Sequence, residues 1–236
     1  MDDIAPALLD DIQKTFKTAY EKDKQVIALR KKLADQTATY KEANKLSIRY
    51  GELLSRALRL NLSADVLPDG RMYFNIADKI LTPLLTEDYV TIASYCVEVQ
   101  KKMNELAGVG LNAVQPEVNE SRIKGFLDRI SSEEDFDRIK WILGEPIVNY
   151  SQSTVDDAIK VNAEFQYGVG LHPMIVRTSE AFCCEWCSNL AGTYEYPGVP
   201  GEVFQRHENC RCGIEYNATK LRAYTSRSGR SNTFRA

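Results

Sequence analysis

The cysteines of this chain are unevenly placed: Cys96 stands alone, whereas Cys183, Cys184, Cys187, Cys210 and Cys212 fall within thirty positions. Cys184 and Cys187 form a Cys-x-x-Cys pair, and twenty positions further on comes His207-Glu208-Asn209-Cys210-Arg211-Cys212. A Cys-x-x-Cys turn aims two thiolates at one point, and a His-x-x-Cys or His-x-x-x-x-Cys pair supplies the other ligands of a tetrahedral zinc ion. Between the two halves, Gly192, Pro197, Gly198, Pro200 and Gly201 make a loop too short and glycine-rich to hold a core. A structural zinc ion contributes folding free energy on the order of 10 kcal/mol to such a module.

There are more donors than the four places of a zinc site. Cys184, Cys187, His207 and Cys210 are the favoured set, with Cys212 the chief rival to His207 or Cys210 and Cys183 read as a packed thiol. Unligated buried thiols and a redox dithiol at Cys184 and Cys187 are the alternatives, but a redox pair gives no reason for the second cluster. A catalytic ion with Glu185 or Glu208 as general base is disfavoured, because a surplus of thiolates is typical of closed structural sites. His172 reads as a polar loop residue, and Trp186 and Phe204 as packing around the site.

These ligands need a scaffold. With 236 residues, 44% hydrophobic and 27% charged, the chain has globular composition and can bury one sizeable core or two modest ones. Ile4, Leu8, Ile12, Phe16, Tyr20, Val26, Leu29 and Leu33 recur at helical spacing, and so do Leu46, Tyr50, Leu53, Ala57 and Leu58. The pattern predicts long N-terminal helices broken once near 35–40. Leu67-Pro68-Asp69-Gly70 is a turn, and Arg71 to Ile76 suits a short strand or an ordered loop equally. Further helices are expected from an N-cap at Thr86 to Gly108, over 122–130 and 132–143, and from an N-cap at Ser153 or Thr154 to Gly168. Gly144-Glu145-Pro146 reads as a terminator. Residues 169–176 and 213–216 look extended. The fold expected is therefore mainly α, with a helical body over 1–150, a small α+β zinc-knuckle domain over 151–216 and a tail over 217–236.

The net charge of −3 hides an asymmetry, because that tail carries Lys220, Arg222, Arg227, Arg230 and Arg235 and no acid. It is a candidate contact for phosphates or an acidic partner. No window is apolar enough to span a bilayer, and the acidic start lacks the basic region of a signal peptide, so a cytoplasmic chain without membrane contact is expected. In a reducing compartment, clustered cysteines favour a metal over disulfides. No phosphate loop, His-Glu-x-x-His helix or nucleophile elbow is present.

Cys184-x-x-Cys187-x-x-Leu190-x-Gly192 followed by Phe204-x-Arg206-His207-x-x-Cys210-Arg211-Cys212 resembles the C-terminal signature of the phage Mu F-like head morphogenesis family. Glu208 stands where that family usually has proline. Tyr50 to Leu54 and Leu67 to Ala77 are similar to segments of minor capsid proteins in phages of Gram-positive bacteria. The resemblance implies a non-enzymatic virion protein in few copies, inside the head or near the portal, assembled in the host cytoplasm. Its implied partners are the portal, major capsid or scaffolding protein, and its implied role is head morphogenesis, DNA packaging or ejection. Packaged DNA is a possible contact of the basic tail. The rival functions are a zinc-dependent nucleic-acid-binding protein and a metal-dependent hydrolase or nuclease.

Overall fold

A computed structural model describes residues 3–180 and 183–217. The chain opens with α1 (Ala5–Lys22) and α2 (Lys24–Ala34), which the apolar pattern alone does not separate. Asp23 breaks them: its backbone is extended, and its carboxylate caps α2 by accepting from the amides of Gln25 at 3.0 Å and Val26 at 2.9 Å. The single break expected near 35–40 comes second, after this unexpected one, with Gln36 in the left-handed region (φ 57°) and a Thr39–Glu42 capping box starting α3 (Tyr40–Asn61).

Helix α4 (Phe74–Ala107) begins a full three turns before the expected cap at Thr86 and absorbs the last residues of the segment left open between strand and loop. Pro83 sits inside it. Proline forfeits one helical hydrogen bond, but Ile80, Leu81, Leu84 and Leu85 on either side are buried, and their burial holds the helix together. Gly108 (φ 69°) ends it in a left-handed cap. The expected helices near 122–130 and 132–143 are α5 (Glu120–Ile130), then α6 (Phe136–Ile139) and a 3-10 turn over Lys140–Leu143.

The largest departure from expectation is α7 (Glu145–Gly168). Gly144-Glu145-Pro146 starts a helix here rather than only ending one, because proline in a first turn lacks an N–H that would have no partner anyway. Ser153 does not cap; its hydroxyl donates back to the Tyr150 carbonyl at 2.6 Å in mid-helix. The domain junction expected near 150 thus falls within a continuous helix. One hydrophobic core runs from Ala5 in α1 to Tyr216 near the C-terminal end of the described chain, while Cys187, Cys210 and Cys212 form a small cluster of their own.

The remaining elements are β1 (Met174–Thr178), α8 (Glu185–Asn189), β2 (Gly192–Glu195), a 3-10 turn over Gly201–Phe204 and β3 (Gly213–Asn217). They form an antiparallel sheet of order β2-β1-β3, in which Ile175 stands opposite both Tyr194 and Tyr216. The fold is mainly α with a small C-terminal sheet. Ile175, Ile214 and Tyr216 bury into the main core, so the sheet lies against α3 and α7.

Two close fits hold this arrangement. Helices α3 and α7 meet at Gly51, where an added Cβ would come within 2.7 Å of the Val148 Cα and the Ser151 Oγ. A buried polar chain links four elements: Tyr40 donates to Gln100 at 2.8 Å, the Gln100 and Gln166 amides donate to Asn104 at 2.8 and 2.9 Å, and the Tyr216 hydroxyl donates to Gln166. Satisfied networks of this kind specify one packing among many apolar ones.

Candidate metal centre

Cys184 caps α8, its sulfur 3.4 Å from the Cys187 amide, so a single helical turn brings both thiols to one side. The second half of the motif is a tight turn closed by the Cys210 amide on the His207 carbonyl at 3.2 Å, with Asn209 in the left-handed region (φ 59°) that asparagine tolerates. Glu208 keeps this turn without the proline.

The two halves converge. His207 Nε2 lies 3.2 Å from Cys184 Sγ and 3.1 Å from Cys187 Sγ, and Cys187 Sγ lies 3.8 Å from Cys210 Sγ. Two donor groups result, Cys184–Cys187–His207 and Cys187–Cys210–Cys212, each with its ligand atoms within 4.8 Å of one another. Cys187 belongs to both. A tetrahedral ion with metal–sulfur bonds of about 2.3 Å sets its sulfurs about 3.8 Å apart, as Cys187 and Cys210 are. The imidazole is oriented as a metal ligand should be, for its Nδ1 donates to the Glu208 carbonyl at 2.6 Å and leaves Nε2 as the lone-pair nitrogen facing the sulfurs.

The surroundings suit thiolates. Burial pushes the Cys187 thiol up to about 12 and raises Cys212 as well, so without an ion both hold their protons at neutral pH. Yet Arg177, on β1, is 2% exposed, forms no carboxylate pair among the described residues, and places Nη2 3.7 Å from Cys187 Sγ. A thiolate held by a metal ion here would supply the counter-charge this guanidinium otherwise lacks. Its Nη1 donates to the carbonyls of Val203 and, at 3.0 Å, Gln205, which fixes the glycine-rich loop. Trp186 packs edge-on to His207 at 5.8 Å between ring centres and beneath Arg177 at 5.3 Å.

Three polar struts dock this module on α7. Arg206 and Asp156 form a bidentate pair at 2.6 Å in both arms, 4% and 2% exposed, and Arg206 also donates to the Cys212 carbonyl at 2.7 Å. Arg211 grips Glu145 with two bonds of 3.0 Å, and the Asn149 amide donates to the His207 carbonyl at 3.1 Å. Glu145, Asn149 and Asp156, at i, i+4 and i+11, share one helical face. Sequence reasoning passed over these residues and Arg177. The available signal was the pair of arginines flanking the His-x-x-Cys and Cys-x-Cys donors, which require acids elsewhere if they are buried.

The other anticipated residues are placed as follows. Cys183 packs against the sulfur cluster, within 3.2 Å of the Ser188 hydroxyl, which lowers its thiol pKa. His172 pairs with Glu195 at 2.8 Å and is in neither donor group. The carboxylates of Glu185 and Glu208 are in neither group either. Phe204 packs on the main core instead of on the sulfurs, because its 3-10 turn faces the helices. Cys96 is a buried thiol in α4. The tail residues Lys220, Arg222, Arg227, Arg230 and Arg235 lie outside the described residues. Among the described residues, no helix is long and apolar enough to cross a membrane.

Comparison of the chain with family models, with curated proteins and with solved structures found no match to any of them.

Proposed function

We propose that this chain is a structural minor head protein of a tailed bacteriophage, without catalytic activity, whose C-terminal module is closed by one structural zinc ion. The observation that carries the metal reading is the convergence of two donor groups, from halves of a motif twenty positions apart, on the shared Cys187. Cys184, Cys187, His207 and Cys210 are the proposed ligands, with Cys212 able to replace His207 or Cys210. Bound there, zinc supplies a cross-link between α8 and the His207–Cys210 turn, and with it folding free energy. The phage reading rests on the family resemblance of that same motif.

In this reading the module works by docking. Arg177 holds the glycine-rich loop, Arg206 and Arg211 hold the motif against α7, and the exposed faces present a surface of constant shape to the portal, major capsid or scaffolding protein. Preorganised surfaces bind with less loss of conformational freedom. The tail bases from Lys220 to Arg235 are proposed to contact packaged DNA or an acidic partner. The protein would then reside in the virion, in the head interior or portal region, after assembly in the host cytoplasm.

Elemental analysis of the purified chain, with no zinc added, tests the metal reading: about one zinc per chain is expected, and none, with all thiols free, refutes it. Deleting the gene from its phage tests the role. Fewer DNA-filled heads or non-infectious particles are expected, and a normal yield of infectious particles refutes it. Truncation after Tyr216 isolates the tail, and unchanged head assembly, DNA content and infectivity would remove it from the proposal.

A further inference from the structure

Helices α1 and α3 lie antiparallel, with Asn61 donating to Thr15 at 3.2 Å near one end and Arg49 pairing with Asp23 at 2.7 Å near the other. Between them runs an open groove of about 520 Å³ with an apolar floor of Ala19, Leu53 and Ala57. Leu60 stands at its edge, 66% exposed. The charged residues lining this groove are Lys14, Lys22 and Arg56, with no carboxylate among them. A second groove of about 510 Å³ shares Arg56 and Leu60 with the first and adds Arg59 and Lys140. Its two acids, Glu52 and Glu145, are already held by Arg49 and Arg211.

The lining is cationic in a chain with 33 acids against 30 bases. The side chains of Lys22, Arg56, Arg59 and Lys140 form no hydrogen bond or ion pair among the described residues. Four unpaired cations therefore line two adjoining grooves, the first of which has an apolar floor, and the most exposed apolar side chain between them is Leu60. The floor takes alkyl side chains, and the cations need carboxylates on either side of them. An amphipathic helix with leucines on one stripe and glutamates flanking it satisfies both at once. A nucleic-acid backbone answers only the charges, and it leaves Leu53 and Leu60 against a polar surface.

We infer that the joined α1–α3 and α3–α7 grooves are a docking site for an acidic amphipathic helix of a partner protein. The site lies on the helical body, and its second groove ends where Arg211 of the metal-binding motif reaches Glu145 and Glu52. A helix seated there would touch body and motif together. The inference needs no metal and does not rest on the proposed phage role.

Fluorescence anisotropy of the full-length chain tests it, with a labelled synthetic peptide of about 18 residues, long enough for five turns. The peptide contains Leu, Glu and Ala with the leucines at i, i+3, i+4 and i+7. A shuffled peptide of the same composition and a labelled DNA duplex are the comparison probes. Saturable binding of the patterned peptide is expected, at least about tenfold tighter than the shuffled one and weakening as salt rises. The R56E/R59E double variant and L60S are each expected to weaken it about tenfold while leaving the thermal unfolding curve in place, since all three side chains are solvent-exposed. Absence of binding, equal binding of both peptides, tighter binding of the duplex, or unchanged affinity in R56E/R59E would each overturn the inference. So would a chain that sediments as a dimer and becomes monomeric in R56E/R59E, because the occupant would then be a second copy.

Discussion

Asp156→Ala should undock the Cys/His module without touching a single candidate ligand. Asp156 is 2% exposed and makes two 2.6 Å bonds to Arg206, whose remaining contacts are the Cys212 carbonyl at 2.7 Å and Asn44 at 3.4 Å. The substitution leaves a guanidinium, itself 4% exposed as a side chain, without a counter-charge. Removing one partner of a buried pair costs about 3–5 kcal/mol. At about 1.4 kcal/mol per factor of ten, local opening at the docking face should rise by about two to three and a half orders of magnitude. Two readouts separate local from global effects: urea unfolding followed by helical circular dichroism, and the rate at which a thiol reagent labels the buried Cys187, Cys210 and Cys212 in metal-free protein. Labelling should accelerate strongly while the loss in global stability stays at or below the full pair value. The D156L/R206M double variant, which removes both charges, should recover much of that loss, since a buried pair replaced by apolar groups is often close to neutral. Unchanged labelling in Asp156→Ala, or a double variant as unstable as the single one, would refute the claim that this pair is the strut.

Gly51→Ala drives a methyl group to 2.7 Å from the Val148 backbone, so α3 and α7 must separate, and a loss of about 1–3 kcal/mol in denaturant titration is expected. Asp88 is fully buried, accepts from Ser151 at 2.6 Å and has no partner for its second oxygen, so burial raises its pKa well above 3.8. A folded pKa raised above the unfolded one contributes stability below pH 3.8 that is lost as pH climbs toward the folded value. Asp88→Asn should therefore be more stable than the parent at neutral pH, with the gap closing as pH falls to 3.8; a pH-independent difference would contradict this. Cys187→Ser should abolish metal binding in elemental analysis, because Cys187 is common to both donor groups, whereas Cys183→Ser should retain the metal. The Cys187→Ser chain should keep most of its helical circular dichroism, since the main core excludes the sulfur cluster.

Much of the helical framework was legible because its signals are local. The break near 35–40, Gly108 at the end of α4 and the helical spacing of Ile12, Phe16 and Tyr20 all act within a few turns of chain. Reading failed where local and global preferences conflict. Pro83 and Ser153 carry breaker and cap signals, and both lie inside long helices because burial of their neighbours outweighs the local cost. The same conflict hid the unity of the core, since α7 spans the junction expected near 150.

At the site, residue types and spacing by themselves picked out the candidate donors, because a metal-binding turn needs its thiols and imidazole within a few positions of one another. Only the tertiary structure decided that the two halves meet at Cys187, that Arg177 faces its sulfur, and that Arg206 and Arg211 find Asp156 and Glu145 on one face of α7. Those contacts join residues 10 to 66 positions apart. Their partners are set by the packing of helices and sheet over a shared core, which no short window of sequence contains.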